Sequence, residues 1–201
     1  MKKRIIFLAT QNAHKIDEIK DLLGDLFDFK TVFELGLSVE IPETGTTLVE
    51  NSMQKAQFIA QAYNGITCLA DDSGLEVEAL NGAPGVYSAR YAGEAKSDVA
   101  NVTKLLQELA NSTNRKARFV TVLTLHHLGQ FYVFEGEIHG QIHTEPKGSN
   151  GFGYDPVFIP EGMDLTFAEL SLSEKNQMAH RARALQKFKK FVDDSRIFQL
   201  D

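Results

Sequence analysis

Near its start the chain carries Ile5-Ile6-Phe7-Leu8-Ala9, an unbroken apolar run of the kind a strand covered on both faces requires. Thr10-Gln11-Asn12 interrupts it. Over 15–26 the apolar positions Ile16, Ile19, Leu22, Leu23 and Leu26 recur three and four apart, which predicts one face of a helix. A second helix is predicted over 47–63, with Leu48, Ser52, Ala56, Ile59 and Tyr63 facing inward. The apolar stretch 66–70 reads as a second buried strand. Asp71-Asp72-Ser73-Gly74 follows it with the composition of a turn, so two acids are expected at the strand's tip. Positions 75–80 mostly alternate, as in a half-exposed strand. Asn81-Gly82 and Pro84-Gly85 then signal a turn and loop. A third helix is predicted over 98–109. Beyond the polar break 111–114, strands over 118–125 and 131–142 are joined at Leu128-Gly129-Gln130 as an antiparallel hairpin. A last helix is predicted over 174–191, with Ser171 and Glu174 placed to form a capping box.

This order is mixed α/β without repeats. With 201 residues, 43% of them hydrophobic, residues 1–201 are expected to form one domain, at most two-lobed. The formal charge of −6 argues against binding nucleic acid by bulk charge. It leaves a nucleotide open, because a metal and a few local cations offset phosphate charge. Cys68 is the only cysteine, so no intrachain disulfide can form, and a reducing cytoplasmic location is expected. Cys68 itself reads as a small buried residue of a strand. The N-terminal segment imitates a signal peptide, but its apolar run is too short. No stretch approaches the roughly 20 apolar residues of a membrane span.

Four segments carry candidate chemistry. Asp71 and Asp72 are oxygen donors of the type that hold Mg²⁺, and equally ordinary turn residues. Thr10-Gln11-Asn12-Ala13-His14-Lys15 leads from strand to helix, where free N–H groups and a lysine suit an anion. The same residues also make a plain helix start capped by Asn12. Gly151-Phe152-Gly153-Tyr154-Asp155-Pro156 sets aromatic rings between glycines, which can stack on a base or serve as core. Lys175, His180 and Arg181 are phosphate- or carbonyl-binding cations on a helix that also carries a solvated basic face. Asn51 and Lys55 lie one turn apart on the second helix, close to Glu43 and Glu50. His139 and His143 fall about 13 Å apart along a strand and read as ordinary polar positions rather than a zinc pair.

Taken in order, these segments resemble the inosine/xanthosine triphosphate pyrophosphatase family, which removes non-standard purine nucleotides. The resemblance rests on Thr10-x-Asn12-x-x-Lys15, Glu43-Thr44-Gly45, Glu50-Asn51 and Lys55-Ala56. It continues through Ala70–Leu75, Gly82–Tyr91, Gly151–Pro156 and Lys175-Asn176-x-x-x-His180-Arg181. One departure is Ala179, where many members carry Ser before His-Arg. The resemblance implies a two-lobed, strongly bent mixed β-sheet flanked by helices, with an active-site cleft between the lobes, and a homodimer. It implies Mg²⁺-dependent hydrolysis of ITP, dITP and XTP to the monophosphate and pyrophosphate. Asp72 would be proton acceptor and metal ligand, and Glu43 a second ligand. The sequence does not rank Glu43, Glu50 and Asp71 for that place. Residues Thr10, Gln11, Asn12, Ala13, His14, Lys15, Lys55 and Ser73 would hold the phosphates. Phe152, Gly153, Tyr154, Asp155, Lys175, His180 and Arg181 would hold the base and sugar end, with Phe152 or Tyr154 stacking. A pyrophosphatase for modified pyrimidine nucleotides, or a nucleotide sensor without catalysis, are the alternatives.

Overall fold

The computed structural model of the chain describes residues 3–36, 41–195 and 197–198. Six strands form one mixed sheet: β1 Arg4–Leu8, β2 Phe27–Thr31, β3 Cys68–Val77, β4 Lys116–His127, β5 Gln130–Ile142 and β6 Phe158–Pro160. Their order is β2-β1-β3-β4-β5-β6. β1 pairs in parallel with both β2 and β3, and β5 pairs antiparallel with β6. The helices are α1 Ala13–Leu23, α2 Leu48–Ala62, α3 Asp98–Glu108, α4 Leu172–Met178 and α5 His180–Ser195. Among the described residues no helix is long and apolar enough to cross a membrane.

The chain divides into two compact units, 1–72 with 121–136 and 181–201, and 73–120 with 137–180. In the first unit, side-chain alternation along the strands builds two cores. Ile6, Leu8 and Leu69 join Ile19 and Leu23 of α1 and Leu185 and Phe188 of α5. The intervening Ala9, Cys68 and Ala70 join Ala56 and Ile59 of α2. Buried in this second core, the Cys68 thiol is pushed up to about 12 by loss of solvent. In the second unit, Leu75, Val77, Phe119 and Ile138 pack with Val102 and Leu105 of α3 and with Phe158 and Phe167.

Several elements differ from the sequence reading, each for a local reason. Asp71-Asp72-Ser73-Gly74 is no turn but the middle of β3, because buried cations meet both acids and make continuation of the strand possible. The strand gives way to a 3-10 turn over Glu78–Leu80, short of the alternating stretch predicted there. The first helix ends at Leu23, three residues early, and Leu26 is exposed. β2, whose Phe27 and Phe29 alternate with polar neighbours, had no sequence prediction. The last helix is two helices, broken at Ala179, whose ψ of 156° is extended. The β4–β5 turn follows expectation. Leu128 and Gly129 have φ of 47° and 78°, the pair of positive values a two-residue hairpin turn takes.

Candidate active site

The site in the first unit starts from the pleat of β3. Successive side chains of a strand point to opposite faces, so Asp71 continues the Leu69 side and Asp72 the Ala70 side. On the first side α1 supplies Lys15 and Glu18, one turn apart, and α5 supplies Arg181. Lys15 Nζ donates to Asp71 Oδ1, Arg181 Nε donates to Asp71 Oδ2 at 2.9 Å, and Arg181 Nη1 donates to Glu18 Oε2. Two cations and two anions thus meet in a neutral quartet, with Glu18, Asp71 and Arg181 buried and Lys15 partly so. Burial alone would raise the Asp71 pKa, but Arg181 and Lys15 hold its carboxyl well below the usual range. Burial lowers the pKa of Lys15 despite Asp71. Arg181 is raised, its burial outweighed by Asp71 and Glu18.

On the other side α2 supplies Lys55. Its Nζ donates to Asp72 Oδ1 at 2.9 Å and to the Asp71 carbonyl at 2.9 Å, and pairs with Glu43 Oε1 at 2.6 Å. Lys55 is raised, because the attraction of Asp72 and Glu43 exceeds its desolvation. Asp72 moves the opposite way from Asp71. Burial raises its pKa, and Lys55 offsets this only in part. Its Oδ2 is buried and has no hydrogen-bond partner among the described residues. One oxygen is held and the other stands ready for a ligand or a proton.

The three candidates for the second metal acid now separate. Glu50 caps α2, its Oε2 accepting from Thr46 N at 2.6 Å and Thr47 N at 3.1 Å, while Thr47 Oγ1 accepts from Glu50 N. Asp71 is neutralised by two cations. Glu43 shares the Lys55 ammonium with Asp72. Its loop is tied down by buried Asn51, whose Oδ1 accepts from Gly45 N at 2.8 Å. Among the described residues no three acid, His or Cys side chains gather as a ready metal cage. Mg²⁺ needs none, since it is commonly held by one or two carboxylates with substrate phosphates and water. The buried, unpartnered Asp72 Oδ2 and the adjacent Glu43 are oxygen donors that fit it.

At the start of α1, Asn12 Oδ1 accepts from Lys15 N at 3.2 Å, so Asn12 is the helix cap, and Thr10 Oγ1 accepts from Asn12 N. Gln11, Ala13 and His14 are exposed there.

The second unit holds the aromatic loop and two of the three predicted cations. Asp155 Oδ2 accepts from Phe152 N at 2.9 Å and from Lys175 Nζ at 2.7 Å. Gly151, with φ of 75°, must lack a side chain, because a Cβ would lie 2.0 Å from Asp155 Oδ2. Lys175, 3% exposed, sits 4.8 Å from the Phe152 ring centroid, a cation–π contact. Gly153 N donates to Asp98 Oδ2 at 2.7 Å. Tyr154 is buried and its hydroxyl donates to the Ser88 carbonyl, whereas Phe152 is only partly buried. Of the two candidate stacking rings, Phe152 is therefore the accessible one. His180 stacks on Phe119 with centroids 4.7 Å apart and planes 11° apart. Arg181, grouped in sequence with His180, has its guanidinium on Asp71 and Glu18 instead. Sequence reasoning missed Glu18 and Phe119. Glu18 stands three residues after Lys15, on the same helix face, which was the available signal.

The arrangement is that of an α/β protein with a poised carboxylate, a set of lysines suited to a polyanion, and a ring platform with donors for a flat polar ligand. Its sequence matches the Ham1 family over residues 6–191, and the chain belongs to that family. It is 49% identical over 191 residues to the dITP/XTP pyrophosphatase of Porphyromonas gingivalis, covering 94% of this chain and 97% of that one. It is 47% identical over 183 residues to the dITP/XTP pyrophosphatase of Flavobacterium johnsoniae, covering 91% and 94%. The solved Ham1 protein of Staphylococcus aureus superposes with a TM-score of 0.87 at 43% identity, covering 96% of this chain and all of that one.

Proposed function

We propose that this chain hydrolyses ITP, dITP and XTP between the α- and β-phosphates, releasing the monophosphate and pyrophosphate. Near relatives are named dITP/XTP pyrophosphatase, which supports this reading. The single observation that carries the mechanism is Asp72, with a raised pKa, one oxygen held by Lys55 and the other without a partner. A general base works best when its pKa is moved toward the operating pH. Asp72 takes the proton of the attacking water on the carboxylate oxygen that does not hold the metal, while Lys55 fixes the carboxylate's orientation. Asp72 and Glu43 would hold Mg²⁺, which when bound neutralises phosphate charge and activates water. Lys15, Lys55, Ser73 and the N–H groups at the start of α1, from Thr10 to His14, bind the phosphates.

Phe152 stacks on the base. Gly153, Asp155, Lys175 and His180 shape and polarise its surroundings, with Arg181 anchoring the acid set. Buried donors satisfied by a 6-oxo purine are left unpaired by the 6-amino group of ATP, and such sites discriminate strongly. The working form is a cytoplasmic homodimer, for which light scattering at micromolar concentration is the check. The deciding experiment measures pyrophosphate release with Mg²⁺ from ITP, XTP, GTP and ATP, extended to dTTP and UTP. ITP and XTP are expected to lead by a wide margin in kcat/KM, and a chelator to abolish release. Comparable values for ATP and ITP, or preference for a pyrimidine, would overturn this reading. Tight ITP binding without pyrophosphate release would make the protein a sensor.

A further inference from the structure

The segment Gly82–Tyr91 belongs to the longest sequence signature, yet none of its side chains has a place in the chemistry above. It runs as a strap along the second half of β3. Glu76 bridges to Pro84, and Val77 N donates to the Ala83 carbonyl at 3.1 Å. Where the strap crosses Gly74 there is no space for a side chain, since a Cβ would lie 2.4 Å from the Gly85 carbonyl oxygen. Ser88, buried in the 3-10 turn Gly85–Arg90, is the node. Its Oγ accepts from Leu75 N at 2.9 Å and donates to the Gly85 carbonyl at 2.6 Å. Its own carbonyl accepts the Tyr154 hydroxyl at 2.9 Å. The far end is clamped by α3. Asn101 donates to the Ala89 carbonyl and accepts from Ala92 N, and Lys104 donates to the Tyr91 carbonyl.

We propose that Ser88 is a positioning residue that joins the Ser73-Gly74 backbone to the Phe152–Asp155 loop, so that the phosphate-binding and base-binding segments of this unit keep one register. Its hydroxyl fixes the backbone just after Ser73. Its carbonyl fixes Tyr154, between Gly153 and Asp155. Neither group touches substrate. This inference rests on the functional reading above, which assigns phosphate to Ser73 and base to Phe152.

The two products of ITP hydrolysis probe the two ends separately. IMP and pyrophosphate inhibition constants are measured for the wild type, Ser88→Ala, Tyr154→Phe and the double variant, with melting temperatures alongside. Tyr154→Phe is expected to weaken IMP about fivefold, the worth of one neutral hydrogen bond, and to leave pyrophosphate within about twofold. Ser88→Ala is expected to weaken both by a similar factor. For IMP the double variant falls short of the product of the singles, as for residues in one network. Folded variants with unchanged constants, or IMP losses that multiply independently, would overturn the proposal. If Ser88→Ala does not fold, Tyr154→Phe, which removes a single oxygen, decides alone through its IMP constant. A wild type that releases no pyrophosphate from ITP refutes the functional reading instead, and calorimetric IMP titration of the same variants still reads the link.

Discussion

Arg181→Met removes one member of the neutral quartet of Lys15, Glu18, Asp71 and Arg181. Glu18 and Arg181 are 3% and 1% exposed, so the charge left behind cannot be hydrated. Asp71 keeps Lys15, but Glu18 loses the Nη1 donor that balanced it. Breaking a buried pair on one side costs about 3–5 kcal/mol. For a protein of this length each kcal/mol shifts the midpoint by about 2–4 °C, so the fall should be about 6–20 °C. Glu18→Met alone should cost a similar amount, by leaving an excess positive charge. The double variant Arg181→Met/Glu18→Met removes one charge of each sign and leaves Lys15 paired with Asp71. It should recover at least about 2 kcal/mol relative to the summed singles, because a well-packed apolar pair can replace a buried ion pair at little cost. Thermal melts followed by far-UV circular dichroism on the four proteins measure this. Single losses below about 1 kcal/mol, or losses that add in the double variant, would refute the reasoning.

Asp72→Asn keeps the shape but removes the proposed proton acceptor. Pyrophosphate release from ITP should fall at least about a hundredfold, with the melting midpoint within about 4 °C of wild type. The pH dependence of the two acids has opposite sign. Raised above its ordinary value by burial, Asp72 in the metal-free protein should take up its proton at a higher pH than an ordinary aspartate, readable from its carboxyl resonance in an NMR titration over pH 4–8. Asp71 is depressed, so its stabilising contribution is intact above the ordinary carboxylate range. It is lost as pH falls below that range, and Asp71→Asn should flatten the acid limb of the melting curve. Ala179 holds the extended backbone just before α5, the place of a helix cap. Ala179→Ser should stabilise by about 1 kcal/mol, seen as a rise in the melting midpoint of about 2–4 °C.

The elements governed by repetition were legible before the fold was known. α2 could be read from Leu48, Ser52, Ala56 and Ile59, all of which are buried, and the β4–β5 hairpin from Leu128-Gly129. The acids were legible as chemistry but not as structure. Asp-Asp-Ser-Gly has the composition of a turn, and only partners distant in sequence, Lys15, Lys55 and Arg181, make a strand of it. Long-range neutralisation leaves no local trace, which is also why Lys175 could be read as solvated although Asp155 and Phe152 enclose it. The break at Ala179 was hidden for a related reason. Alanine favours helix, and nothing in its own side chain marks the extended conformation it takes before His180. Glu18 stood in plain sight on the face of Lys15, but a glutamate on a surface helix gives no sign of being covered.

The placing of Asp71 and Asp72 on opposite faces of one strand has a genetic consequence. On the proposed function, two neighbouring codons answer to different selections, one for a folded product and one for turnover. A screen that scores abundance should be severe at codon 71 and lenient at codon 72, and a screen that scores nucleotide cleansing severe at both. Length is a harder constraint than identity. A codon deleted between 66 and 70 would bring Asp72 to the place facing Lys15 and Arg181 and leave Ser73 opposite Lys55, and a codon inserted there would bring Asp71 to Lys55 and leave Ala70 facing Lys15 and Arg181. Point changes in this stretch leave room for partial function, whereas a shift by one residue leaves one of the two places with the other's acid and the second with none.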